Sequence, residues 1–406
     1  MVFMKKEKFY QNKKSSGAGP LENIRVLEAT TTWAGPMAGC ILADFGADVL
    51  KIEHPDGEIG RRLPPFVPNT SESIPYATVN RNKQTITLDL KSNKGRTIFL
   101  KLCEGADIVI ENFKPGTLDS WGVGYGDVSL VNSKIVYVSV SMYGQFGPYS
   151  ERAGYDPLAQ NFTGWSSMNG EPEGGPVKAP TFLADDLGGV HGALGAMAAL
   201  HHAQVTGEGQ HVDVSLVDSL LFQSNGYLTS GKLGLPLPRV GNQFTIAAPV
   251  NLYKCKDGMV YGGVLLDSHW KSLCEHMGRQ EIGCLTGAER IQQRELVDGA
   301  LSDWCSKKST KDVVNELNAI GLTITKVNTY AEAANNEQIG ARDMLQDVEL
   351  AKGGRIPLTG PAAKFSVTAT KIRNSAPELG KDNYRVLGEL GYSEIEIAKL
   401  KEEGVI

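Results

Sequence analysis

Two adjacent carboxylates, Asp185 and Asp186, stand in Phe182–Gly192, Phe-Leu-Ala-Asp-Asp-Leu-Gly-Gly-Val-His-Gly, where a strand-like segment runs into a long helical pattern. Leu187, Val190, Leu194, Met197 and Leu200 recur at helical spacing, which puts both Asp residues at or just before the first turn. The ordinary work of Asp there is capping: its oxygens accept from unpaired backbone amides and its charge complements the helix dipole. The neighbouring glycines allow a second use. Gly188, Gly192, Gly195 and Ala199 form a stripe almost without side-chain bulk, and Gly188-Gly189 leave the first turn uncovered beside the carboxylates. A large ligand can approach an Asp there, which a capping residue does not require.

Other polar residues narrow the chemistry without naming a reaction. Lys91 closes one strand-like run, Lys114 follows a second and His54 a third. In a parallel sheet all three reach the carboxyl edge, where ligands bind, and three basic groups there suit a polyphosphate. Each is equally an ordinary solvated surface residue. Tyr155-Asp156 forms a loop pair in which Asp156 reads as the partner of a buried Tyr hydroxyl. There is no Gly-x-Ser-x-Gly elbow and no His-Glu-x-x-His motif. His191 reads as a satisfied core residue, and His201 and His202 as partners of the helix C-terminus.

The elements that must position these residues alternate. Ile24–Leu27, Asp48–Glu53, Thr85–Leu90, Asp107–Phe113, Lys134–Met142 and His211–Ser215 read as strands, with helices from Gly35-Pro36 to Asp44 and from Asn93 to Glu104. Such runs, rich in Val, Ile and Leu, predict a parallel α/β sheet covered on both faces. A nucleotide suits that sheet, yet no Gly-x-Gly-x-x-Gly follows the first strand, which disfavours a nicotinamide dehydrogenase. Gly231 to Pro249, rich in Gly and Pro, reads as a crossing into a second unit. There Asn251–Cys255 and Met259–Leu265 predict a hairpin turning at Asp257-Gly258. Helices follow at His269–Met277, Glu289–Ser306 and Thr310–Ile320, with Ser309 or Thr310 as cap. Leu322–Val327 is a strand and Tyr330–Met344 a helix. The tail Tyr384–Ile406 reads as two short helices broken at Gly391.

Composition bounds the rest. A chain of 406 residues, 41% hydrophobic, favours two domains. Its net charge of −5 argues against a nucleic-acid or anionic-membrane surface as the main partner. The six cysteines include no Cys-x-x-Cys pair, which suggests neither a disulfide framework nor structural zinc, and reduced thiols point to the cytoplasm. The longest apolar run of the central helix, Ala196 to Leu200, is too short to span a bilayer. Met1 to Pro20 carries five Lys without an apolar segment and reads as a polar leader arm.

Taken together, the motifs resemble family III CoA-transferases, which include formyl-CoA:oxalate and carnitine CoA-transferases and share their fold with α-methylacyl-CoA racemases. The resemblance runs from about Leu21 to Ile406. It is carried by Ala34-Gly35-Pro36, Leu42 to Val49, Lys51-Ile52-Glu53, Leu88-Asp89-Leu90-Lys91, Glu111-Asn112-Phe113, Gly154-Tyr155-Asp156, Leu183-Ala184-Asp185, Thr206 to Gln210 and Leu387 to Tyr392. Singly these are weak; in this order over the whole chain they are specific.

The resemblance implies that Asp185, and not Asp186, is a nucleophile, passing through a mixed anhydride and an aspartyl-CoA thioester. Substrates would be an acyl-CoA donor and a carboxylic acid acceptor, with no metal. The amides of Gly188 and Gly189 are candidates to hold developing negative charge. Coenzyme A would contact Thr31, Thr32, Trp33, Leu88, Lys91 and the Tyr155 loop. Family arginines correspond to His54 and Ser120, so phosphate contacts would be rebuilt around Lys91 and Lys114. Racemases carry His where Tyr155 stands, and Tyr, with its high pKa, is a poor acid/base substitute, which favours transfer over a racemase-like activity. Arg239 to Gln243 replaces the glycine-rich flap of oxalate-type members, which disfavours oxalate as acceptor. The resemblance also implies a homodimer of interlocked chains, with active sites where domains and chains meet. It further implies a Rossmann-like large domain built from the N- and C-terminal segments (21–230 and 329–406, after a leader arm, 1–20) and a smaller α+β domain, 231–328. A hetero-oligomer with a related subunit, in which this chain would be a non-catalytic partner, is the alternative that a retained Asp185 opposes.

Overall fold

In a computed structural model, which describes residues 4–14, 16–351 and 353–406, six strands form one sheet. They are β1 Arg25–Ala29, β2 Asp48–Glu53, β3 Gln84–Thr87, β4 Ile108–Glu111, β5 Val136–Ser141 and β6 Gln210–Ser215. Their order is β3-β2-β1-β4-β5-β6 and every pairing is parallel. This is the parallel α/β sheet that the alternating pattern predicts, and the Rossmann-like core that the resemblance implies. All residues of β4 and β5 are buried, as β-branched strands covered on both faces must be. One face packs under the Ala34 helix (Ala34–Asp44) and the Asp185 helix (Leu183–Thr206). The other lies under the Asn93 helix (Asn93–Cys103) and the tail helices Asn383–Glu389 and Glu394–Glu402.

The Asp185 helix is the crossover from β5 to β6, so it begins at the carboxyl edge of the sheet, as does the Ala34 helix after β1. No strand precedes it, contrary to expectation: residues 179–182 have no regular structure. The glycine stripe lets this helix come close to its neighbours. A Cβ on Gly188 would lie 2.6 Å from Leu216 Cδ2, one on Gly189 2.6 Å from Met37 Cγ, and one on Gly195 2.8 Å from Val212 Cγ1.

The chain divides into two compact units, the first taking in the chain up to Trp165 with Lys178–Leu228 and Gly340–Ile406, the second Ser166–Val177 and Thr229–Ile339. In the second, β7 Val250–Lys254, β8 Met259–Gly263 and β9 Thr323–Lys326 form an antiparallel sheet in chain order. The β7–β8 turn closes where Cys255 N donates to Gly258 O, at the expected Asp-Gly. Ser309 caps the helix Thr310–Ala319 by accepting from Asp312 N. Two expected helices are interrupted. Glu289–Ser306 is instead Gly287–Gln292 and Arg294–Cys305, parted at Gln293, beside Arg294, which donates to Phe244 O and Ala247 O. Tyr330–Met344 is Tyr330–Ala334 and Glu337–Ala341, parted at Asn335-Asn336, poor helix formers. The chain then enters a hairpin missed in the sequence, β10 Leu345–Glu349 with β11 Arg355–Thr359, in the first unit.

Candidate active site

The helix that carries Asp185 is capped from outside. Asp156, buried at the start of its own short helix, accepts from Ala184 N (2.6 Å) and from Gln160 Nε2 (2.7 Å). Capping by Asp185 or Asp186 is therefore not needed, and neither does it: both lie inside the first turn. Asp186 accepts the indole N–H of Trp33 at 2.7 Å. Asp185 is buried, yet its carboxylate takes no hydrogen bond from any described residue. Burial, then the charges of Asp156 and Asp186, push its pKa up to about 7. Burial also raises Asp186, against which the Trp33 hydrogen bond acts. Three carboxylates thus converge, two engaged and one free.

Several expectations need correction here. Tyr155 is exposed, and Asp156 is not its partner. Gly188 and Gly189 are buried against Leu216 and against Met37 and Ala34, so their lack of bulk serves packing and not ligand approach. Their amides lie past the first turn, inside the helical ladder, and are not free to hold an anion. Free amides occur elsewhere: those of Trp33, Ala34 and Gly35, at the start of the Ala34 helix, meet no acceptor among the described residues. Gly189 packs on Ala34 and Trp33 bonds Asp186, so this helix start adjoins that of the Asp185 helix.

The loop before it, Thr31 to Trp33, is held from two sides. Asn112, just past β4, accepts from Thr31 N and donates to Thr31 O, both at 2.8 Å. Glu58 accepts the Thr31 hydroxyl at 2.9 Å and Thr32 N at 2.6 Å on one oxygen. Neither Asn112 nor Glu58 stood out in the sequence as a site residue. Trp33 also packs edge-on against Phe182, centroids 5.0 Å apart.

Topology puts His54, Lys91 and Lys114 after β2, β3 and β4, at the carboxyl edge, and all three are exposed. Lys91 Nζ lies 5.3 Å from the centre of the Trp121 ring, which also meets Phe113 edge-on. His54 Nδ1 is 3.3 Å from Asp56 Oδ2, an acidic neighbour that weakens it as a phosphate contact. The Leu88 side chain is buried in the core, so only its backbone is available to a ligand. Among the described residues no group of three or more His, Cys, Asp or Glu could hold a metal ion, and no helix is long and apolar enough to cross a membrane.

A Rossmann-like sheet with an unengaged carboxylate at a crossover-helix start defines the class of site, and comparison with known proteins supplies the family. The profile of CoA-transferase family III matches residues 21–383. The chain is 34% identical over 393 residues to the succinate–glutarate CoA-transferase of Agrobacterium fabrum, covering 91% of this chain and 96% of that one. It is 32% identical to the succinyl-CoA:mesaconate CoA-transferase of Haloarcula hispanica, covering 92% and 97%. A crystal structure of a CAIB/BAIF family protein from Brucella suis superposes with a TM-score of 0.83 at 30% identity, over 92% of this chain and all (100%) of that one. The chain belongs to CoA-transferase family III and is a CoA-transferase.

Proposed function

We propose that this enzyme moves CoA from a dicarboxylic acyl-CoA, succinyl-CoA first among them, to a second carboxylic acid, with Asp185 as covalent nucleophile. One observation carries the reading: Asp185 alone of the three converging carboxylates is buried without a hydrogen bond, while Asp156 and Asp186 are engaged. The succinyl donor rests on the relatives named for succinate–glutarate and for succinyl-CoA:mesaconate transfer.

The Asp185 carboxylate attacks the donor thioester carbonyl and expels CoA thiolate, giving a mixed anhydride. The thiolate attacks the aspartyl carbonyl of that anhydride, releasing the donor acid and leaving an aspartyl-CoA thioester. The acceptor carboxylate then displaces the thiolate to form a second anhydride. Attack by the thiolate on its acceptor carbonyl releases the new acyl-CoA and restores the Asp185 carboxylate. Each step exchanges one activated acyl group for another, so no external energy source is required. Free amides at the start of the Ala34 helix are the donors suited to developing negative charge. Coenzyme A lies along the Thr31–Trp33 loop with its nucleotide toward Lys91, Trp121 and Lys114. The working assembly is a homodimer.

The test is intact-mass and peptide analysis after mixing with succinyl-CoA and trapping with hydroxylamine. The wild type gives a hydroxamate at Asp185, and Asp185→Asn gives none and loses transfer by about a thousandfold or more. Asp186→Ala keeps a substantial part of the activity. Equal loss at both positions, or a trapped derivative elsewhere, removes Asp185 as nucleophile.

A further inference from the structure

The strands contain charges where a covered parallel sheet should be apolar. Lys51 in β2 and Glu28 in β1 are wholly buried, as is Lys83, and the Glu58 side chain is nearly so. Lys51 Nζ lies 3.2 Å from Glu28 Oε1 and 3.1 Å from Glu58 Oε1, and Lys83 Nζ lies 2.7 Å from Glu28 Oε2. Gly39 makes room for this cluster, since a Cβ there would sit 1.8 Å from Glu28 Oε2. Burying four charges is a weak route to stability compared with apolar packing.

What the cluster touches explains its presence. Lys51 donates to Thr30 O at 3.0 Å, Glu28 accepts the Thr30 hydroxyl at 2.7 Å, and Lys83 donates to Pro36 O at 2.9 Å. Glu58 takes the Thr31 hydroxyl and Thr32 N. Contacts therefore fall along the segment from Thr30, just past β1, to Pro36 in the first turn of the Ala34 helix. Inside that span Thr32 has φ 70, a conformation β-branched residues seldom adopt without support. The free amides of Trp33, Ala34 and Gly35 follow directly.

We propose that Glu58 is a positioning residue for acyl-CoA: anchored by Lys51, it holds Thr32 in the left-handed conformation and so aims the amides at the start of the Ala34 helix at the bound thioester. The inference rests on the reading that this loop forms the CoA side of the site, but not on Asp185 being the nucleophile. Glu58→Gln tests it because no amide orientation serves both sides. With its oxygen toward Thr31 and Thr32 it turns NH2 to the Lys51 ammonium, and reversed it turns NH2 to Thr32 N–H.

The measurement is CoA affinity by calorimetry, which needs no turnover and stands whether or not Asp185 traps with hydroxylamine. Glu58→Gln should weaken CoA about tenfold while the acceptor acid's KM stays unchanged. Adding Thr32→Gly should restore most of the affinity, because Gly adopts positive φ without a clamp. If Glu58→Gln does not fold, Thr31→Val removes one clamp bond and gives the same pattern, weaker binding recovered by Thr32→Gly. Unchanged CoA affinity in folded Glu58→Gln, an equal rise in acceptor KM, or a loss that Thr32→Gly does not recover in either variant overturns the proposal.

Discussion

Burial sets the properties of Asp185 more than its neighbours do. Its ordinary carboxyl pKa of 3.8 rises to about 7 in the folded chain, first through desolvation and then through Asp156 and Asp186. In the unfolded chain it ionises near the ordinary value, so between about pH 4 and 7 unfolding releases a proton that the folded state retains. That contribution favours folding fully below pH 4, fades as pH rises and is gone above 7. Ionised Asp185 therefore costs on the order of 4 kcal/mol at pH 8. Asp185→Asn should be more stable than wild type in denaturant melts at pH 8, and the advantage should shrink toward zero at pH 4. A constant difference across that range would mean that the group is not held protonated by burial. The choice of Asp185 over Asp186 was available only through family resemblance, because spacing alone makes both first-turn carboxylates. Glu58 was illegible for a related reason: its role depends on meeting Thr31 and Thr32 across the fold, and Glu58-Ile59-Gly60 carries no local signal. Lys51 and Glu28 were the better clue, as charges inside otherwise apolar strands.

At the scale of elements, the strands of the main sheet were legible because each is a short β-branched run beside helical pattern, and all six lie within three residues of their expected ends. The β10–β11 hairpin was not, since Leu345–Glu349 follows an Ala-rich stretch that reads as continuous helix, and only its pairing with Arg355–Thr359 makes it a strand. The glycine stripe was seen, but its use was misjudged. Gly-to-Ala in a helix interior ordinarily gains about 1 kcal/mol from propensity. At Gly189 the new methyl meets Met37 Cγ and Cβ at 2.6 and 2.7 Å and the Ala34 carbonyl oxygen at 3.0 Å, and a backbone atom cannot swing away. Gly189→Ala should therefore destabilise by about 1–3 kcal/mol net and impair transfer, because it pushes the Ala34 helix off the Asp185 helix. Gly188→Ala meets chiefly Leu216 Cδ2, the mobile end of a side chain, and should cost less. Thermal melts of the two variants side by side check the order, and an equal or reversed order would mean that the two helices are not packed against each other as tightly as their glycines require.

Among the described residues, one face of the Asp185 helix stays exposed. Val190, Leu194 and Val205 are 49%, 57% and 72% exposed, and at helical spacing they fall on one stripe with His201 between them; Phe222 nearby is 79% exposed. Apolar side chains grouped in this way mark an interaction surface more often than single exposed residues do. The Asp185 helix thus turns its glycines to the sheet and the Ala34 helix and Val190, Leu194 and Val205 outward; under the function proposed above, association and catalysis would share this one element. The homodimer proposed above would cover that stripe. In sedimentation velocity at micromolar concentration the wild type should run at twice the 43.8 kDa chain mass. Leu194→Glu should shift the protein toward single chains and lower transfer even though the residue lies more than two turns from Asp185. Relatives in Chloroflexus aurantiacus are named as alpha and beta subunits of a succinyl-CoA–L-malate CoA-transferase, each 32% identical to this chain. A fully active wild type at single-chain mass would rule out both assemblies, whereas an inactive single chain that gains activity with a second family subunit would replace the homodimer by the mixed one.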